Sequence, residues 1–308
     1  MNVCIIGGTG FVGSYVTERL ISADHRPRLL VRANSAGRVE HPELCETIVG
    51  DVRDQPSVTQ AIAGCDAVIY LVGLLREMPS LGLTFEEMHL RGVERCILAA
   101  LDQGVRRFVL MSANGVCADG TSYQRTKFQA EEALRASGLD WTIFRPSVIF
   151  GDPRGRMEFC TQLKREIIDI PFPAPLFYPG LLPFGAGKFE LAPVSVEDVA
   201  ETFVQSLERP ETIGQCFQLC GPERLTWKQI LNIIADSVGK TKLMIPVSGL
   251  GLRAAAALLE RQSWFPVTRD QLIMLMAGNT CDEPGAFDLF GIEPRHFDAA
   301  SLAYLRGV

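Results

Sequence analysis

The stretch Val3-Cys4-Ile5-Ile6-Gly7-Gly8-Thr9-Gly10-Phe11-Val12-Gly13 constrains the fold more than any other part of the chain. A short apolar run ends in glycines at 7, 10 and 13, and a helical pattern over residues 15–23 follows at once. Gly7 suits the backbone angles of a tight strand-to-helix turn, Gly10 allows close approach of a ligand, and Gly13 lets the helix lie close on the strand. The first N–H groups of such a helix have no partner within it, and they stand at the positive end of its dipole. Gly7, Thr9, Gly10, Phe11, Val12 and Gly13 are therefore the expected cradle of a pyrophosphate.

The alternation continues. Residues 28–31, 48–50, 67–72, 107–111 and 141–144 read as strands, and 57–63, 90–103 and 123–137 as helices. Strands alternating with helices predict an α/β fold, a doubly wound parallel sheet of the Rossmann type, over residues 1–150. Prolines and glycines crowd 171–187, and helical patterns follow at 196–207, 226–238, 249–261 and 268–278. Residues 151–308 are thus expected to form a smaller, mostly helical lobe covering a substrate cleft, with some segments returning to the sheet.

Hydrophobic residues make up 47% of the 308 and charged residues 21%, enough for a packed core. The formal net charge is -6 and no long basic run occurs, which argues against nucleic acid as a partner. Five prolines (171, 173, 175, 179 and 183) interrupt the most apolar long stretch, so it does not read as a membrane span. Its aromatic and leucine side chains either line an apolar pocket, touch a partner or a membrane surface, or tuck onto their own lobe. Nine scattered cysteines without a CxxC pair, and no charged leader before the first strand, give the expectation of reduced cysteines in a cytoplasmic protein. His25, His41, His89 and His296 show no metal-ligand spacing. Glu86, Glu87 and His89 either edge a substrate cleft or open an exposed helix.

The second strand ends Leu30-Val31-Arg32, without the carboxylate that usually binds a ribose 2′-hydroxyl. Arg32, helped by Asn34 and Arg38, suits a 2′-phosphate instead, so NADP is expected, with NAD possible. Asp51 and Val52 follow the third strand, where Asp51 either borders an adenine or serves as a loop acid. Leu71, Val72 and Gly73 end the fourth, where small or flat residues let a ribose pass. Tyr123 and Lys127 stand at i and i+4, on one helical face. A nearby ammonium is expected to lower the phenol's pKa and make the pair a proton donor and acceptor.

Taken together these residues resemble the short-chain dehydrogenase/reductase superfamily, in its extended and atypical branch. The resemblance extends to Arg145-Pro146-Ser147-Val148-Ile149-Phe150-Gly151 and to Pro193-Val194-Ser195-Val196-Glu197-Asp198-Val199-Ala200. Thr268-Arg269-Asp270-Gln271 and Phe290-Gly291-Ile292-Glu293-Pro294 narrow it to bacterial relatives of the NADPH-binding accessory subunit of respiratory complex I. It implies that Gly7, Gly10 and Gly13 hold the pyrophosphate and that Arg32 meets the 2′-phosphate. It implies also that Tyr123 and Lys127 are catalytic, and that Pro146 and Val148 pack near the nicotinamide. The third catalytic position, normally Ser or Thr after the fifth strand, departs from the pattern. The chain reads Met111-Ser112-Ala113-Asn114, so Ser112 falls one residue early and a one-residue slip on a strand turns a hydroxyl to the opposite face. Ser112 or Asn114 is the expected helper.

The function implied is an oxidoreductase passing hydride between a nicotinamide and a carbonyl or alcohol of unknown, apolar substrate. Two alternatives stand beside it, a non-catalytic NADPH-binding accessory protein and a nucleotide-sugar epimerase or dehydratase. Neither the substrate nor the oligomeric state is legible.

Overall fold

The computed structural model describes residues 1–180, 182–249, 268–282 and 286–307. In chain order its strands are β1 (Asn2–Ile6), β2 (Arg26–Val31), β3 (Glu46–Val49), β4 (Ala67–Tyr70), β5 (Arg107–Met111), β6 (Asp140–Pro146), β7 (Ile149–Phe150), β8 (Ala174–Tyr178), β9 (Glu190–Leu191), β10 (Val194–Ser195), β11 (Gln215–Leu219), β12 (Leu225–Thr226) and β13 (Met244–Ser248). Its helices are α1 (Phe11–Ser22), α2 (Gln55–Ile62), α3 (Gly92–Asp102), α4 (Ser122–Arg135), α5 (Phe159–Leu163), α6 (Val196–Ser206), α7 (Trp227–Ser237), α8 (Arg269–Ala277) and α9 (Ala286–Phe290). Most of the helical pattern at 249–261 lies outside the described residues.

Two compact units are present. The first comprises Met1–Pro146, Val196–Leu219 and Gly285–Ile292. It is built on a seven-stranded sheet of order β11-β6-β5-β4-β1-β2-β3, parallel at every pairing. This is the Rossmann-type, doubly wound arrangement. Its central strands are apolar on both sides because helices cover both faces. Cys4, Ile6, Val68, Tyr70, Phe108 and Leu110 pack with Val58, Ile62, Val93 and Ile97 of α2 and α3 in one core. The seventh strand, β11, was not expected from the sequence. It pairs with β6 alone, and its alternation Gln-Cys-Phe-Gln-Leu is the short, half-polar pattern of a sheet edge.

Arg107 fastens this edge. Its guanidinium donates to the Asp140 carbonyl (2.8 Å), Thr142 Oγ1 (2.8 Å), the Ser206 carbonyl (2.7 Å) and Thr212 Oγ1 (3.0 Å). Desolvation pulls its pKa down to about 10, so it stays charged at neutral pH inside this ring of neutral acceptors. Glu131 of α4, fully buried, accepts a bidentate pair from Arg145 of β6 at 2.8 and 2.6 Å.

The second unit comprises Ser147–Ser195, Cys220–Pro284 and Glu293–Val308. Helices α5, α7 and α8 and, among the described residues, three short strand pairings surround a core of Phe150, Phe177, Trp227, Ile230, Leu272 and Phe297. Trp227 stacks between Phe177 and Phe189 and donates its indole N–H to the Pro175 carbonyl at 2.8 Å. Capping boxes start both α7 (Thr226 with Gln229) and α8 (Thr268 with Gln271). Among the described residues no helix is long and apolar enough to cross a membrane.

One expectation is corrected here. The cysteines are not all reduced, because Cys220 and Cys281 form a disulfide with Cα atoms 5.9 Å apart. Spacing gave no hint of it, since 61 residues separate them. They meet because Ala192 is bracketed on both sides. Its carbonyl accepts from the Gly221 N–H at 3.2 Å, and its own N–H donates to the Asn279 carbonyl at 2.9 Å. A cross-link closing so long a loop stabilises by roughly 2–4 kcal/mol. Dithiothreitol, or a Cys220→Ser/Cys281→Ser double variant, is expected to lower the urea midpoint of unfolding accordingly. An unchanged midpoint under reduction would show that the two sulfurs are not joined.

Candidate functional site

The glycine turn has the geometry of an anion cradle. Gly7 sits at φ +96°, and a Cβ there would meet the backbone of Leu71 and Val72 at 3.2 Å. A Cβ on Gly13 would stand 2.2 Å from the Gly7 carbonyl oxygen, so only glycine lets α1 start this close to β1. Gly10 is the N-cap residue of α1, no side chain caps it, and no acidic residue occupies the first turn. The opening N–H groups are thus left to an anion, and Leu71 and Val72 border the turn. These features fit the diphosphate of a dinucleotide.

The edge formed by β2 and β3 carries the charges. Gly50 N–H donates to the Val31 carbonyl at 2.9 Å, which sets Asp51 beside Arg32. Arg53 holds the Asp51 carboxylate with Nε and a terminal nitrogen, both at 2.9 Å, and with its backbone N–H at 2.9 Å. The Arg53 side chain is the main cause that keeps the Asp51 carboxyl below the usual range, and Arg32 adds to it. Arg53 also donates to the Leu81 carbonyl at 2.9 Å. Asp51 is thus held in an internal pair with Arg53. Arg53 is a residue that sequence reasoning missed, although its place two residues after Asp51 is the signal for such a pair. Arg32 and Arg38 are exposed, and Arg38 ends the short 3-10 turn that Arg32 caps.

Tyr123 and Lys127 lie on α4, which a Thr121–Gln124 capping box starts. Between β4 and α3 a π-helical turn, Glu86–Arg91, brings His89 inward, and such turns mark local functional constraint. The Tyr123 ring rests edge-on against His89 (5.1 Å between centroids) and Phe85 (5.7 Å), and Phe85 stacks on His89. His89 Nε2 accepts from the Leu74 N–H at 3.1 Å. The proton therefore sits on Nδ1, which donates to Thr126 Oγ1 at 3.1 Å, and Thr126 passes its own hydroxyl to the Ser122 carbonyl at 2.9 Å. The sequence offered His89 as a cleft-edge residue or as part of an exposed helix, and a helix-period reading does not reveal the π turn that buries it.

Lys127 is buried, its Nζ donating to the Met111 carbonyl at 3.0 Å and standing 5.9 Å from the Tyr123 ring centroid. Burial pulls its pKa down to about 8, against the opposing field of Glu131. The expected lowering of the Tyr123 pKa is corrected, because burial pushes the phenol up instead and the ammonium is turned to Met111. Ser112 continues the β5–β6 pairing, its N–H donating to the Phe144 carbonyl at 2.7 Å. Its side chain shares a face with Leu110, and both line a cavity of about 10 Å³ with Tyr70, His89, Lys127 and Ala130. That is the size of one water. Ser112 Oγ is buried without a protein hydrogen-bond partner, and Tyr123 is not among the residues lining this cavity. Asn114 N–H donates to the Pro146 carbonyl at 2.9 Å. Val148 belongs to the second unit, where its carbonyl accepts from Val194.

Burial of His89 sets an acid limit on stability. Desolvation, aided by the Lys127 charge, pulls its pKa down to about 2 from the ordinary 6.5. Below pH 6.5 the unfolded chain binds a proton that the folded one refuses. This contribution is full above that pH and is lost as pH falls, by up to about 1.4 kcal/mol per pH unit. His25, lowered by burial and by the N-terminal ammonium, adds in the same direction. Urea midpoints measured from pH 7 to pH 5 are expected to fall less steeply in His89→Gln than in the parent. Equal slopes would show that His89 ionises freely in the fold.

With this geometry in place, comparison with known proteins gives a consistent family. Residues 7–167 match the NAD(P)H-binding family. The mitochondrial NADH-ubiquinone oxidoreductase 40 kDa subunit of Neurospora crassa is 25% identical over 97% of this chain and 77% of its own length. A ceramide reductase of Caulobacter vibrioides is 26% identical over 86% of this chain and 79% of its own. The crystal structure of UDP-glucuronic acid 4-epimerase from Bacillus cereus, with UDP-glucuronic acid and NAD, superposes with a TM-score of 0.72 at 15% identity. It covers 100% of this chain and 98% of that one, a likeness of fold alone. Fold, glycine turn and sequence kinship agree, and the chain belongs to the NAD(P)H-binding family, consistent with the extended and atypical short-chain dehydrogenase/reductase branch that its motifs resemble.

Proposed function

We propose that the protein is an NADP(H)-dependent reductase of a carbonyl group on an apolar substrate. The observation that carries this reading is the neutral, half-buried Tyr123 phenol braced by His89 and Phe85, one helical turn from buried Lys127, in the same unit as the glycine cradle. Gly7, Gly10 and Gly13 would hold the diphosphate and Arg32 the 2′-phosphate. A bound nicotinamide would supply hydride to the carbonyl carbon. Tyr123 gives its proton to the carbonyl oxygen, so that the product is an alcohol. A phenol is protonated at neutral pH, and burial holds Tyr123 in that form, so the residue has a proton to give in the reductive direction. Kinship with a ceramide reductase supports an apolar substrate.

The Ser112 geometry favours a second reading. A hydroxyl facing the cavity beside Lys127 gives no support to a substrate carbonyl, which suits a protein that holds NADPH without turnover. Kinship with the Neurospora crassa subunit supports this alternative. Titrating the purified protein with NADPH and NADH, then assaying NADPH oxidation with long-chain ketones and quinones, separates the two. Tight NADPH binding with turnover supports the reductase. Tight binding with none over the panel supports the holding role. Isomerised nucleotide sugar with bound NAD would overturn both.

A further inference from the structure

We propose that the second unit docks on the surface of an anionic lipid bilayer, through a patch at the start of β8 and β13. This goes beyond the reductase reading and does not depend on it. Phe172 and Leu243 are 69% and 70% exposed, and Ile170 and Ile245 are 38% and 42% exposed. Scattered exposed leucines are ordinary, but these four stand on two segments that hydrogen bonds hold side by side. Ala174 N–H donates to the Leu243 carbonyl at 2.8 Å, and Ala174 faces Met244 across the parallel pair. The Lys242 ammonium donates to the Ile168 carbonyl at 3.1 Å and to the Ile170 carbonyl, which ties the 168–172 segment to the start of β13.

Two features select a bilayer as the occupant. The first is charge. Lys240 and Lys164 share the single carboxylate of Asp169 at 2.7 and 2.8 Å, and Lys242 rests on carbonyls, so this rim is cationic in a chain of net charge -6. Lysines around protruding apolar side chains match anionic headgroups above acyl chains. The second is the backbone. Prolines stand in both strands, Pro175 opposite Ile245 and Pro246 opposite Leu176, and each removes an N–H that strand addition by another protein chain would use. Phe172 lies between Pro171 and Pro173, which stiffen the tip that presents it. A non-directional apolar phase needs no such backbone donors.

The test is flotation of the full-length protein with vesicles of phosphatidylcholine alone and of phosphatidylcholine mixed with phosphatidylglycerol. Binding to the mixed vesicles is expected, weakening as salt rises. Phe172→Ser/Leu243→Ser is expected to reduce it about tenfold or more, since two partly inserted side chains are lost. Lys240→Gln is expected to reduce it about fivefold at low salt. An unchanged far-UV spectrum and unfolding midpoint in the double variant exclude misfolding as the cause. Absence from both vesicle types at low salt would overturn the proposal, as would unchanged flotation of the double variant. A concentration-dependent dimer in light scattering that Phe172→Ser/Leu243→Ser abolishes, without vesicle binding by the parent, would assign the patch to a second copy instead.

Discussion

Tyr123→Phe is expected to lower kcat/KM for carbonyl reduction by about 10²–10⁴, the usual contribution of a positioned proton donor, while the affinity for NADPH stays within a few-fold. The substitution is selective because the contacts that brace residue 123 are made by its ring. Phe85 and His89 meet the ring edge-on, and a phenylalanine keeps both. Only the hydroxyl is lost, so stability is expected to hold while the chemical step fails. The direction of the phenol's shift adds a second readout. Burial favours the neutral form, so alcohol oxidation catalysed by the parent is expected to be slow at neutral pH and to rise with pH, whereas reduction stays flat through neutrality. Stopped-flow measurement of NADPH consumption in both proteins decides it. Equal rates in parent and variant would move the proton donor elsewhere and remove the proposed chemistry.

The parts of this fold that were legible are those whose cause is local. The glycine turn is written in consecutive residues, since Gly7 supplies the positive φ of the turn and Gly13 answers a steric demand from Gly7 and Gly8. Strand and helix alternation is equally local, and it delivered β1, β2, β4, β5 and β6 within a few residues of their observed limits. What failed depends on partners distant in sequence. Strand β11 is called into the sheet by β6, and its own five residues are too polar to announce it. The disulfide needs Gly221 and Asn279 to converge on Ala192. The segment 171–187 divided between the alternatives, with Leu176 and Phe177 packed in the core of their unit while Phe172 and Phe184 are exposed.

The site shows the same division at finer scale. Spacing placed Tyr123 and Lys127 on one face of a helix, yet spacing does not say where an ammonium points. Lys127 reaches the Met111 carbonyl, and desolvation then decides the sign of the phenol's shift. For Ser112, strand alternation carried the argument further. Its hydroxyl lies on the Leu110 side, in the cavity with Lys127, because β5 keeps its period past Met111.

Arg32→Asp is expected to weaken NADPH binding at least about 100-fold and to strengthen NADH binding, so that the preference reverses. Removing a charge-assisted contact to a phosphate costs about 1.5–3 kcal/mol, and a carboxylate in its place adds repulsion. The expectation rests on how the neighbouring charges are already committed. Asp51 is the carboxylate nearest in sequence to follow β3, and Arg53 engages it through two side-chain bonds and one backbone bond. Its charge is thus already paired, while the Arg32 side chain makes no ion pair among the described residues and its charge faces solvent. Arg53→Ala is the informative companion, because it frees Asp51 beside an intact Arg32. The released carboxylate would then draw on Arg32, and NADPH affinity is expected to fall several-fold without a gain in NADH affinity comparable to that of Arg32→Asp. Calorimetric titration of the three proteins with both dinucleotides distinguishes these outcomes. An Arg32→Asp protein that keeps the parent's NADPH affinity would mean that the 2′-phosphate is held by other groups and that the end of β2 does not choose the cofactor.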